Sequence, residues 1–231
     1  MRSRALSGLP RQRYVMAMNS STTNTARLRA HPFALPNMLT YSRIAVIPIV
    51  VGCMFSQSFL HGGLWLRWVA LAFFIAAAVS DFLDGYLARM WEQQSSLGRM
   101  LDPIADKLLV SSCLLMAAGE DTIRGWALFA AIVILCREIL VSGLREYLAE
   151  LRVSVPVTRL AKWKTTVQLI AVGFLIAGEA GNAIVPIVIG IEEPVVTWIG
   201  TMLLWLSALL TIYTGWDYLQ AGLHHLTRED A

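Results

Sequence analysis

Charge is scarce in this chain. Asp, Glu, Lys and Arg make up 15% of its 231 residues, and the first thirty residues contain no acidic side chain. Cysteine is scarcer: Cys53, Cys113 and Cys136 stand apart inside apolar runs with no paired spacing. That excludes a disulfide framework or a zinc cluster and leaves three small buried hydrophobes. The histidines, His31, His61, His224 and His225, fall in connections or tails and suggest no metal role. No Gly-rich P-loop and no Gly-x-Ser-x-Gly elbow is present, which removes the nucleotide-cradling and serine-nucleophile chemistries those motifs carry. Apolar sequence is abundant instead, at 56% hydrophobic residues and a mean hydropathy of +0.58. Several runs are long enough to cross a hydrocarbon core of about 30 Å. Composition therefore predicts an all-α, polytopic integral membrane protein.

Apolar runs predict spans near 38–57, 65–90, 98–119, 124–149, 160–178 and 195–220, each close to the roughly 20 residues needed to cross. Six transmembrane helices in a single domain, residues 34–231, follow. The segment from Ala183 to Ile191 is apolar but short and broken by Pro186 and Gly190, so it reads as an outer connection or a helical extension. Arg2, Arg4, Arg11, Arg13, Arg27 and Arg29 precede the first span, Arg89 and Arg99 flank the second connection, and Arg152, Arg159, Lys162 and Lys164 crowd the fourth. The intervening connections hold little Lys or Arg beyond Arg67 and Arg124. By the positive-inside rule both termini and the second connection face the cytoplasm. Topology thus accounts for the net charge of +3, and nucleic acid is not an expected partner. Trp65, Trp68, Trp126, Trp198 and Trp216 lie near span ends, as an interfacial aromatic belt requires. Residues 1–33 read as a basic, disordered arm resembling a transit peptide, or as an inert start-site extension if translation begins at Met16 or Met18.

Against this apolar background, the run from Ser80 to Lys107 carries four aspartates. Carboxylates at membrane depth are costly and persist mainly where they have a function and a partner. On a helix, Asp81, Asp84, Gly85 and Ala88 share one stripe, with the small residues leaving room beside the carboxylates. Gly98, Asp102 and Asp106 recur every four residues on the next helix. The polar connection Met90 to Leu97 allows a tight cytoplasmic turn, so the two stripes can face each other. Four converging carboxylates repel strongly unless protons or cations neutralise them. Oxygen-only ligands favour a hard ion such as Mg²⁺ or Mn²⁺, and two ions suit four shared carboxylates. Open coordination positions on such ions point to a phosphorylated substrate, toward which Arg89 adds a fixed cation. The competing structural reading, helix caps or pairs with Arg89, Arg99 and Lys107, explains any one aspartate better than it explains the set.

Asp81-x2-Asp84-Gly85-x2-Ala88-Arg89-x8-Gly98-x3-Asp102-x3-Asp106 resembles, without a departure, the signature of the CDP-alcohol phosphatidyltransferases, eight fixed positions in 26 residues. LPNMLTYSRI from Leu35, CREILVSGLREYLAE at 136–150 and KWKTTVQ at 162–168 are similar to the branch of that family that makes phosphatidylglycerophosphate. The resemblance implies a six-helix bundle, usually a homodimer, with metal at Asp81, Asp84, Asp102 and Asp106. It implies Asp106 as the general base, and a CDP group against Gly85, Ala88, Arg89 and Gly98, with Asn37 and Thr40 reaching the same nucleotide or its diphosphate. Its donor is CDP-diacylglycerol, and CMP leaves.

The acceptor depends on other residues. Arg137 and Arg145 are eight positions apart, roughly 80° around a helix, and share a broad face. With Lys162 and Lys164 they suit an alcohol bearing its own phosphate, such as glycerol 3-phosphate. Topology with snorkelling side chains is the competing reading for the lysines, whereas Arg137 lies deep in an apolar run where charge calls for a partner. Glu138 and Glu146 can pair with the neighbouring arginines, and Ser142 is expected to make an interhelical hydrogen bond. The alternatives within the family are a cardiolipin synthase or a phosphatidylinositol phosphate synthase. Outside it stand an intramembrane prenyltransferase and an ion-coupled transporter, the latter disfavoured by the lack of an evident internal repeat. Membrane lipids are expected surroundings. The bacterial inner membrane is the expected location, with an organellar inner membrane fitting the basic arm. Removing residues 1–33 is expected to leave turnover of CDP-diacylglycerol within about twofold, the scatter of a surface change away from any partner; a larger loss in the truncated protein would make the arm functional.

Overall fold

The computed structural model describes residues 35–91, 96–150, 159–190 and 192–229; the side chains of 35–37, 82, 84–91, 96–99, 150, 159, 161, 189, 217 and 221–229 are left out. Among the described residues the chain is all-helical. Its helices are α1 (Leu35–Phe59), α2 (Trp65–Trp91), α3 (Ser96–Gly119), α4 (Ala127–Glu150), α5 (Arg159–Ile189) and α6 (Val195–Glu229). The basic arm, residues 1–33, lies outside the described residues.

Hydrocarbon offers no water to unpaired backbone groups, so long apolar segments close their hydrogen bonds internally as helices. Among the described residues, four segments are long and apolar enough to cross a membrane: Met38–Phe59, Ala127–Ala149, Lys162–Val188 and Val195–Gln220. At 25 residues α1 is about 37 Å long, more than the thickness of the hydrocarbon core. The outer faces carry Ile49, Phe55, Ile75, Leu115, Phe129 and Leu209, all exposed, an apolar surface that suits lipid and not water. The chain is an integral membrane protein. The other two helices, α2 and α3, carry the aspartates.

α1 sits between α2 and α3 and packs on both, while α5 and α6 make the most extensive helix pair. Small residues let that pair approach closely. A Cβ on Gly181 would fall 2.9 Å from Val196 Cγ1, and one on Gly200 would meet Phe174 and Leu175 at 3.1 Å. Asn182 then caps α6 from the neighbouring helix, its Oδ1 accepting from Val196 N at 2.9 Å. The segment 181–189, open between connection and helix in the sequence, continues α5 to Ile189, past a break in the helical backbone at Gly178. Such a break is where a glycine is expected.

The end of the bundle away from the aspartates is tied by a buried ion pair. Arg67 Nη1 donates to Glu120 Oε1 at 2.6 Å, with both side chains 1% exposed. Arg67 Nε donates to Gln57 Oε1 at 2.6 Å, and Gln57 Nε2 donates to Glu179 Oε2 at 2.7 Å. These four residues come from α1, α2, α5 and the turn after α3, so one guanidinium holds most of that end together. Trp65, Trp126 and Trp198, all exposed, lie at or within a turn of the starts of α2, α4 and α6 at this same end, consistent with an interfacial belt. Glu120→Ala is expected to destabilise the protein by about 3–5 kcal/mol, since it strands a buried guanidinium. The double variant Arg67→Met, Glu120→Leu should recover most of that in thermal unfolding; a double variant as unstable as the single would show that packing, not the ion pair, matters there.

Candidate active site

α1, α2 and α3 bring three of the four predicted aspartates around one stretch of α1. Arg43, 1% exposed, lies between them: its Nη1 donates to Asp106 Oδ1 at 2.8 Å and sits 3.1 Å from Asp81 Oδ1. One turn earlier on the same face, Thr40 Oγ1 donates to Asp102 Oδ1 at 2.5 Å. Asp81 of α2 and Asp106 of α3 are therefore drawn to one positive centre, which is what facing stripes require. α1 mediates this meeting. The i, i+3 spacing of Thr40 and Arg43 aims both side chains at the carboxylates.

The side chains of Asn37, Asp84, Gly85, Ala88, Arg89 and Gly98 lie outside the described residues. Thr40, expected at the nucleotide, has its hydroxyl on Asp102, so it acts on that carboxylate directly. Arg43 was not a candidate in the sequence. Its one signal was membership of the LPNMLTYSRI segment, where an arginine near a basic terminus reads as topology.

Among the described residues, no group of three or more Asp, Glu, His or Cys side chains is close enough to hold a metal ion. The donor set is nonetheless that of a hard cation. Asp81, Asp102 and Asp106 offer carboxylate oxygens only, and two of them already share a cation in Arg43.

A cavity of about 70 Å³ adjoins the aspartates, lined by Asp81, Asp106, Lys107, Glu138, Thr165 and Gln168 among others. Behind it lies a basic cluster. Glu138 gathers it, pairing with Lys164 Nζ and, at 3.6 Å, with Arg137 Nη1. Lys107 donates to Ser142 Oγ, the expected interhelical bond, and lies within electrostatic range of Asp106, Arg137, Arg145 and Glu146. Arg137 also braces α6, donating through Nε to Thr211 O at 3.1 Å and through Nη2 to Thr214 Oγ1 at 2.9 Å. Arg145 lies over Tyr218, whose hydroxyl accepts from its Nη2 at 3.3 Å. The structure thus brings Arg137, Arg145 and Lys164 together and adds Lys107, while Lys162 is exposed. A second cavity, an apolar groove of about 650 Å³ between α2 and α5, is lined by Trp68, Phe74, Phe174 and others, and shares Ala78 and Leu169 with the first.

Comparison with known proteins accords with this arrangement. A sequence model described as CDP-alcohol phosphatidyltransferase matches residues 33–213. The chain is 39% identical over 222 residues to the CDP-diacylglycerol–glycerol-3-phosphate 3-phosphatidyltransferase of Cereibacter sphaeroides, covering 85% of this chain and 99% of that protein. It is 41% identical over 187 residues to the Rickettsia felis protein of the same name (81% and 94%) and 35% identical over 196 residues to that of Pectobacterium atrosepticum (84% and 97%).

Removing the shared guanidinium leaves two carboxylates facing each other. Arg43→Ala is expected to lower stability by about 1–3 kcal/mol in chelator, from lost hydrogen bonds to charged groups. Excess Mg²⁺ should restore part of that loss. Thermal unfolding with and without the cation checks this, and an equal melting shift in both conditions would show that Arg43 does not stand in for a cation.

Proposed function

Because this chain belongs to the CDP-alcohol phosphatidyltransferase family, we propose that it transfers the phosphatidyl group of CDP-diacylglycerol to glycerol 3-phosphate, giving phosphatidylglycerophosphate and CMP. The observation that carries this reading is the gathering of Asp81, Asp102 and Asp106 on α1, with a basic cluster behind them and an apolar groove beside them. Each substrate has a place. The groove takes apolar chains of the donor, the carboxylates take its diphosphate, and the basic cluster takes the acceptor's phosphate.

Asp81, Asp84, Asp102 and Asp106 would hold divalent metal, Mg²⁺ or Mn²⁺ and two ions, which would offset charge on the diphosphate and on the departing CMP. Asn37, Gly85, Ala88, Arg89 and Gly98 line the CDP group, and Thr40 serves it through Asp102. Asp106 takes the proton of the acceptor's primary hydroxyl. The alcohol oxygen then bonds to the phosphorus that carries diacylglycerol, the diphosphate P–O bond breaks, and CMP leaves with its electron pair. The contribution of Asp106 lies in its position. Arg43 holds Asp106 at 2.8 Å and fixes where its oxygens point. Lys107, Arg137, Arg145 and Lys164 orient the acceptor by its phosphate, with Lys162 at the rim.

All six helices span the membrane in this reading, as one catalytic domain over 34–231 that pairs as a homodimer. The aspartates face the cytoplasm in a bacterial inner membrane, and residues 1–33 are an extension without a catalytic role.

Purified protein in detergent with CDP-diacylglycerol and Mg²⁺ should release CMP with glycerol 3-phosphate, and not with phosphatidylglycerol or inositol phosphate. No CMP from any of the three sinks the transferase reading; CMP from one of the others moves the protein within its family. Asp81→Asn and Asp102→Asn should each lower turnover by at least about a hundredfold, more than the loss typical of a group one shell further from a metal. Arg137→Ala should chiefly raise KM for the acceptor, the signature of binding shared by ground and transition states. An unchanged acceptor KM would remove Arg137 from the phosphate site.

A further inference from the structure

Gln168 lies on α5 one turn beyond Lys164, is 4% exposed, and borders the cavity that holds Asp81, Asp106 and Lys107. Its Oε1 is buried and has no hydrogen-bond partner among the described residues. Buried polar atoms are nearly always paired, because an unpaired one forfeits its hydration without return. Among the described residues two other buried oxygens lack a partner, Ser207 Oγ and Thr211 Oγ1, but neither borders this cavity. A carbonyl oxygen only accepts, so what completes Gln168 must be a donor. The carboxylates of Asp81, Asp106 and Glu138 supply none when ionised, Lys107 donates to Ser142, and the hydroxyls of Ser111 and Thr165, which also line the cavity, are not placed to donate to Gln168 Oε1.

Given the transfer to glycerol 3-phosphate argued above, the incoming donor has a definite chemistry. That acceptor carries two hydroxyls on adjacent carbons. One attacks and gives up its proton at Asp106, and the other takes no part in the bond exchange. We propose that Gln168 Oε1 accepts a hydrogen bond from this second hydroxyl, so that the site selects a phosphorylated vicinal diol over a simple phosphorylated alcohol. Phosphate on the basic cluster, primary hydroxyl at Asp106 and secondary hydroxyl at Gln168 give three points of attachment, enough to fix which end of the acceptor reacts. A site built around a hydroxyl rejects an analogue lacking it, because the protein's own acceptor is then left unpaired.

The test compares sn-glycerol 3-phosphate with 3-hydroxypropyl phosphate, which keeps the primary hydroxyl and the phosphate and lacks only the secondary hydroxyl. CMP release by the full chain in detergent, with CDP-diacylglycerol and Mg²⁺, gives kcat/KM for each. The wild type should prefer the diol by about 10- to 100-fold, the range expected of one buried hydrogen bond. Gln168→Leu should lose most of its rate with the diol and keep its rate with the analogue, bringing the ratio near one. Gln168→Glu, which retains an accepting oxygen, should keep the preference. A ratio unchanged by Gln168→Leu overturns the assignment. So does a wild type that uses both acceptors equally, a result that needs no variant to fold. If the wild type releases CMP with neither acceptor, glycerol 3-phosphate itself is wrong and the role of Gln168 falls with it, whereas turnover without discrimination sinks Gln168 alone.

Discussion

Acids inside a membrane protein need a positive charge close by, and the placing of that charge organises this bundle. At one end Arg43 lies between Asp81 and Asp106, and at the other Arg67 lies between Glu120, Gln57 and Glu179. Both arginines are 1% exposed. Two charges 4 Å apart interact by about 1 kcal/mol in bulk water and several times that near a protein surface or interior. Neither group can therefore be buried alone. The two ends differ in what surrounds the pair. Glu120 is as buried as Arg67, so that pair is closed and acts as a tie between helices. The side chains of Asp81 and Asp106 are each 45% exposed, so that pair is open on one side and can exchange its neutralising partner.

This difference explains why α1 has an importance its sequence does not advertise. A helix between α2 and α3 that presented only apolar side chains would leave the two carboxylates repelling each other whenever no metal is bound. Arg43 removes that repulsion within the protein, and Thr40 fixes Asp102 from one turn away. Because its fork of donors is rigid, the guanidinium also fixes distance and direction, which a lysine at the same position would do less well.

The aspartates were legible in the sequence because their signal is local. Spacing along a helix dictates a shared face, and acids in an apolar run are conspicuous. The helices themselves were legible for the same reason: each apolar run falls within one observed helix, except that the run from 124 starts three residues before α4. What spacing could not show was anything whose partner lies far along the chain. Arg43 meets acids 38 and 63 positions away, and in the sequence it is one more arginine near a basic terminus. Arg67, read there as an outlying charge in an outer connection, meets Glu120 across 53 positions. The continuation of α5 beyond Gly178 was open because Gly and Pro signals near 178–190 say that a helix is weakened without saying whether its neighbours hold it. Asn182 and Gly181, packed on the start of α6, do hold it.

In the proposed transfer, donor chemistry falls to aspartates that are close in sequence and acceptor choice to charges gathered from α3, α4 and α5, whose balance carries information. Lys107, Arg137, Arg145 and Lys164 outnumber the acids Glu138 and Glu146 beside them, so the cluster is net positive. A phosphate monoester carries about −1.5 to −2 at neutral pH and complements that charge. Phosphatidylglycerol, a diester with a single negative charge, offers a net-positive cluster less, which disfavours a cardiolipin synthase. Charge does not separate glycerol 3-phosphate from an inositol phosphate, since both are monoesters. Charge therefore favours a phosphate monoester as the proposed acceptor, and a hydrogen bond at Gln168 is what would distinguish one monoester from another.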